Sequence, residues 1–208
     1  MKITAIEKQR KDGRYNIFLD GEFAFGLYKE SIFDFGLRVN DEIDEKKAAE
    51  IREYDEAGFG KKIAYSFLNY KTRSEKEVRK KLKEKKISEK SIEKIIESLK
   101  SLKFVNDGLF AKMYVESKLL HKPQGRRLIS NKLKEKGIDK ETAEQTIQEH
   151  YTEETEIKKA KDLLRKFEKK VRAKSPSDKK QKCYRHLMSK GFDFDIINKA
   201  MKLEDSEQ

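Results

Sequence analysis

The chain has 208 residues and a mass of 24.5 kDa, room for one large domain or several small ones. Fifty Lys and Arg against 38 Asp and Glu give a formal charge of +12 and a pI near 9.4, and the 42% of charged residues far exceeds the ~25% of an ordinary globular domain. A single cysteine excludes a disulfide framework or thiolate cluster, three scattered histidines speak against a zinc enzyme, and neither a membrane span nor a signal-peptide core is present, so a soluble, cytoplasmic protein is expected.

The first 56 residues read as a small β domain with helices. Two Asp-Gly pairs, Asp12-Gly13 and Asp20-Gly21, separate runs of period-two patterning. Asp-Gly is a hairpin signal because both central residues of a type I′ turn need positive φ. Tyr15, Ile17 and Leu19 share one strand face, Phe23, Phe25 and Leu27 form the matching face, and Ile3 and Ala5 precede them in a three-stranded meander. These aromatics could stack on nucleic-acid bases. A small sheet needs one covered face, however, so they are assigned to the core. Ile32, Phe33 and Leu37 follow at helical spacing, and 44–57 reads as a charged connecting helix.

The remainder reads as helix built on an internal repeat. Val78 to Leu99, Ile129 to His150 and Cys183 to Glu204 can be superposed. Val78, Ile129 and Cys183 correspond, as do Leu82, Leu133 and Leu187; Ile87, Ile138 and Phe192; and Ile92, Ala143 and Ile197. Each segment is a helix, a tight turn and a second helix. Gly137 and Gly191 stand where a left-handed residue ends the first helix, and Ser88, Asp139 and Asp193 stand at or near the next N-cap. Lys86 replaces the turn glycine of the first segment, so that helix is expected to end differently. A further apolar-periodic helix precedes each segment, at Ile63 to Leu68, Leu109 to Leu120 and Ile157 to Phe167. The expected fold is mainly α: three tandem three-helix repeats at 57–107, 108–154 and 155–208, forming an elongated, curved array after the 1–56 domain.

Chemistry is the poorest signal. There is no P-loop motif, and Gly58-Phe59-Gly60-Lys61-Lys62 is assigned to a linker and helix start. Glu75/Arg79 and Glu77/Lys81 are surface pairs at i,i+4, and Cys183 falls at an apolar repeat position, which suits a buried, inert thiol. No catalytic, cofactor or metal residues can be assigned. Charge says more. Residues 1–56 carry 10 basic and 14 acidic residues, and 57–208 carry 40 and 24, so an acidic head precedes a body suited to a polyanion. Arg126 and Arg127 follow Lys122-Pro123-Gln124-Gly125 into a helix start, a place that suits a carboxylate or phosphate. With Arg73, Arg79, Lys83, Lys132, Lys182 and Arg185 they are the candidate contacts.

Three stretches carry a family resemblance: Ala64-Tyr65-x-x-Leu68-x-x-x-x-Arg73-Ser74-x-x-Glu77-Val78-x-x-x-Leu82, Phe104-Val105-Asn106-Asp107-x-x-Phe110-Ala111-x-x-Tyr114, and Gly125-x-Arg127-x-Ile129-x-x-x-Leu133-x-x-Lys136-Gly137-Ile138. They are similar to the RecX family of regulators of the RecA recombinase, and Arg14 to Phe25 looks like the extra N-terminal part of its longer members. The resemblance implies a non-enzymatic protein of three tandem three-helix repeats; a monomer is the expected state of the chain. It implies binding to RecA filaments on single-stranded DNA, in the groove or at the growing end, and restraint of strand exchange, ATP hydrolysis and co-protease activity. The alternative is a general DNA-binding protein or repressor of helix-turn-helix type. The second helices offer mostly Lys and Glu, a set poor in base-reading side chains.

Overall fold

The computed structural model describes residues 1–10 and 13–205; Asp12 of the first Asp-Gly pair lies outside them. The described residues form two compact units, Met1–Lys71 with Val78–Phe104, and Thr72–Glu77 with the chain from Val105 onward. The mainly helical architecture with a small N-terminal sheet is the one expected.

In the first unit, strands β1 (Ile3–Lys8), β2 (Arg14–Leu19) and β3 (Glu22–Tyr28) form an antiparallel sheet in chain order. Asp20 at φ +50° and Gly21 at φ +92° make the second hairpin turn, the geometry an Asp-Gly pair supplies. Ile3, Ile17, Leu19, Phe25 and Leu27 line the buried face, which Leu37, Ile43, Ala48 and Ile51 cover. Phe23 is not among them. A bulge after Ile17 pairs Phe18 with Phe23, and one extra residue turns the side chain to the other face. Phe23 is therefore 59% exposed and meets Phe18 edge-on at 6.0 Å. Helix α1 (Lys29–Asp34) leaves Phe33 exposed, while Leu37 beyond it is buried.

Helix α2 runs unbroken from Glu45 to Tyr70, which corrects the linker reading of 58–62. Gly60 lies inside this helix because a Cβ there would collide with Ile95 Cδ1; it marks a close helix approach rather than a break. Helices α3 (Glu75–Glu84) and α4 (Glu89–Ser101) follow, and Val78, Leu82, Ile92, Ile95, Ile96 and Leu99 are buried.

The second unit contains α5 (Asp107–Leu120), α6 (Arg126–Glu135), α7 (Lys140–His150), α8 (Glu153–Glu168), α9 (Pro176–Ser189) and α10 (Phe194–Asp205). One core joins Phe110, Ala111, Ile129, Leu133, Ile147 and Tyr151, and another joins Ala160, Leu164, Cys183, Leu187, Phe192 and Ile197. All twelve repeat positions superposed in the sequence are buried.

The three turns share one geometry. Ile87, Ile138 and Phe192 donate backbone N–H groups to Leu82, Leu133 and Leu187 at 3.2, 3.0 and 3.3 Å. Lys86, Gly137 and Gly191 stand at φ +61°, +90° and +85°, the Schellman ending of a helix. Lys86 therefore ends its helix as the glycines do, contrary to expectation. The glycines carry a second constraint. A Cβ on Gly137 would lie 2.7 Å from Lys76 Cβ, and one on Gly191 would collide with Leu128. Ser74 Oγ also donates to Lys136 O at 2.7 Å, and Gly125 N to Lys190 O at 2.9 Å. Each of these turns thus receives a helix start from the repeat before it in the chain. The first turn has no such predecessor, and Lys86 is exposed.

Only conformational strain is then at stake at Lys86. Lys86→Gly should raise stability by about 0.5–1 kcal/mol. Gly191→Ala should cost about 3 kcal/mol by combining positive φ with overpacking. Urea denaturation of both variants checks this, and equal effects would contradict the distinction.

Candidate binding surface

Most basic residues singled out in the sequence are already engaged by carboxylates of the same chain. Arg79 reaches Glu93 with both terminal nitrogens, at 2.6 and 2.8 Å. Lys83 meets Glu89 at 3.0 Å and Lys132 meets Glu135 at 2.7 Å. Arg73 lies near Glu77: burial would raise that carboxyl, but the Lys136 bond, the Ser74 N–H and the charges of Lys136 and Arg73 hold it below its ordinary value. Ser74 and Glu77 form a capping box, each bonding the other's backbone N–H at 3.3 Å.

The Arg126-Arg127 loop departs furthest from expectation. Its helix start does hold an anion, but the anion is internal. Glu156 accepts from Arg126 N at 2.9 Å and pairs with Arg126 Nε at 2.8 Å, while the guanidinium also donates to Tyr151 O. Gly125, the N-cap, offers no side chain, so this carboxylate satisfies a backbone N–H, that of Arg126, which would otherwise be orphaned. Glu156 is 2% exposed. Burial pushes its carboxyl above the ordinary range against the pull of Arg126. Arg127 donates to Met188 O at 3.3 Å. Sequence reasoning missed Glu156, although its position four before Ala160 and eight before Leu164 places it on the buried stripe of α8.

A different surface emerges in the last repeat. Residues 158–185 hold 13 basic and 3 acidic residues. Lys169, Lys170, Arg172 and Lys174, on the α8–α9 connection, are exposed, as is Arg185 on α9. Asp178 fixes this connection by accepting from Lys174 N at 2.8 Å and Lys182 Nζ at 2.9 Å, and Lys182 also donates to Arg172 O at 2.9 Å. The Lys182 bond is the main cause holding the Asp178 carboxyl below its usual range. Lys182 thus clamps the loop, while its neighbours face solvent. This set can contact phosphates or carboxylates without disturbing the core. Among the described residues no His, Cys, Asp and Glu grouping suits a metal ion, and no helix is long and apolar enough to cross a membrane.

Family models match in four consecutive pieces: the regulatory protein RecX N-terminal domain at residues 1–44, and the RecX first, second and third three-helix domains at 61–99, 106–147 and 154–201. Regulatory protein RecX of Leuconostoc mesenteroides is 36% identical over 195 residues, 94% of this chain and 73% of that protein. The Bacillus subtilis protein of that name is 34% identical over 200 residues, 96% and 75% of the two chains. The Clostridium beijerinckii one is 35% identical over 204 residues, 97% and 94%. A crystal structure of regulatory protein RecX superposes with a TM-score of 0.72 at 30% identity, covering 97% of this chain and 98% of that one. RecX from Lactobacillus salivarius gives 0.67 at 32% identity, covering 73% and 98%. Four domain models in order, relatives matched along nearly the whole chain and the same fold place this chain in the RecX family of regulatory proteins.

Proposed function

We propose that this chain is a negative regulator of RecA. It binds RecA filaments on single-stranded DNA, in the groove or at the growing end, and thereby slows ATP hydrolysis, strand exchange and co-protease activity. Family membership supports the regulatory role, and the exposed cations of the last repeat carry the contact: Lys169, Lys170, Arg172, Lys174 and Arg185 form a positive surface suited to a polyanionic filament. A ligand that favours one filament conformation changes turnover only through differential binding. Arg126 acts within the chain at the start of α6 and Lys182 on the α8–α9 loop, while Arg79, Lys83 and Lys132 are engaged by Glu93, Glu89 and Glu135. Binding to naked DNA is the second reading, favoured by the same charge run.

Two variants separate contact from support. Replacing Lys169, Lys170, Arg172 and Lys174 together by Gln should leave the helical CD spectrum unchanged. It should also weaken binding to RecA-coated single strands and reduce the salt slope by about 3, at ~0.7 per lost phosphate contact. An unchanged slope, read by fluorescence anisotropy across a salt series, would remove this loop from the contact. Arg126→Ala should instead lower stability by about 3 kcal/mol, because Glu156 is left buried without its counter-ion. A chemical denaturation midpoint equal to that of the parent protein would show that the pair contributes nothing.

A further inference from the structure

We infer that the solvent face of the N-terminal sheet is a stacking platform for the bases of a single nucleic-acid strand. Strand register separates the two faces of the sheet. Ile17, Leu19, Phe25 and Leu27 belong to the core, whereas Arg14, Asn16 and Phe18 alternate with them along β2 on the opposite side. The bulge after Ile17 adds Phe23 of β3 to that side, opposite Phe18. Phe18 is half-buried and Phe23 is 59% exposed. The rings meet edge-on at 6.0 Å, so neither is stacked on the other. A bulge that re-aims a large ring from core to solvent gives up the stabilisation of burying it, which suits a use outside the core.

Polar groups of matching kind lie along the same face. Gln9 Nε2 donates to Asn16 Oδ1 at 2.6 Å. Arg14 donates to Gly26 O at 3.2 Å, with its guanidinium 4.8 Å from the centre of the Tyr28 ring. Gly26 makes room for both, since a Cβ there would lie 2.8 Å from Gln9 Nε2 and 3.4 Å from Arg14 Nε. The face thus sets side-chain amides and a guanidinium beside two aromatic rings. Rings stack on bases, amides bond their edges, and a guanidinium bonds phosphate.

Charge supplies an independent observation. The acidic surplus of the first 56 residues does not fall on this hairpin: residues 1–19 hold 5 basic and 2 acidic residues, and 20–56 hold 5 and 12. Lys2 and Arg10 are exposed. Glu7, opposite Asn16, is the one strand acid that register places on this face, and Glu22 opposes Leu19 on the other. An apolar protein surface would fit the two rings alone. The amides and cations around them fit a strand that carries both bases and phosphates. The platform shares no residue with the cations of the last repeat, and this inference rests on no part of the filament reading.

The test uses the full chain, ¹⁵N-labelled, titrated without RecA with a thymidine strand of about 15 nucleotides and with an abasic strand of the same length. The thymidine strand should shift the amides of Asn16, Phe18, Phe23 and Gly26. The abasic strand keeps the phosphates but offers no rings, so the same shifts should need an at least about tenfold higher concentration. Phe23→Leu keeps an apolar side chain without an aromatic face and should weaken the thymidine titration by about as much, while Phe23→Tyr should bind as the parent does. Equal titrations with the abasic strand, or undiminished binding by Phe23→Leu, would each overturn the inference. Sheet amides that stay in place, whatever the last repeat does, would overturn it too and leave the two rings to a protein surface.

Discussion

One left-handed residue after the second helix of each repeat sets the geometry on which the helical body depends. That residue reverses the chain, satisfies the last carbonyls, and delivers Ile87, Ile138 or Phe192 into the core at a fixed distance from Leu82, Leu133 or Leu187. At Gly137 and Gly191 the same atom-sized gap also admits a helix start from earlier in the chain. Backbone conformation and packing between segments are thus solved by one missing side chain. Where no three-helix repeat precedes, at Lys86, only the conformational half of the requirement remains, and a lysine meets it.

The helix starts show a parallel economy of charge. The start of α3 receives Asp107 on Glu75 N at 2.8 Å, and the start of α6 receives Glu156 on Arg126 N at 2.9 Å. Both carboxylates come from the first turn of the first helix of the following repeat. The start of α9 is finished locally instead, by Ser175 accepting from Asp178 N at 3.1 Å and by Pro176, which has no N–H to satisfy. At the start of α6, the anion that was expected from outside is built into the chain.

This explains what could be read in the sequence. The repeat was legible because apolar residues at equivalent spacings have one use, and every superposed position is buried. The Asp20-Gly21 turn was legible because few dipeptides tolerate two positive φ values. The bulge that exposes Phe23 was not, since alternation continues through it in the sequence and only strand register betrays it. Glycine was ambiguous in another way: Gly60 in α2 looks like a break until Ile95 is brought against it by the fold. The candidate contacts were the least legible part. Lysine and arginine look alike whether they face solvent or an internal carboxylate, and partners such as Glu93 for Arg79, or Glu156 for Arg126, lie 14 and 30 residues away. The run from 158 to 185 stands apart because its cations outnumber any acids available to neutralise them.

The most direct test of the account is single-stranded-DNA-stimulated ATP hydrolysis by the cognate RecA, titrated with this protein at several salt concentrations. Hydrolysis should fall as the protein is added, and the loss should weaken as salt rises. Loss at substoichiometric amounts marks action at the filament end, and loss near one copy per several protomers marks the groove. Unchanged hydrolysis alongside tight, salt-sensitive binding to naked DNA would contradict it and leave a DNA-binding protein in its place.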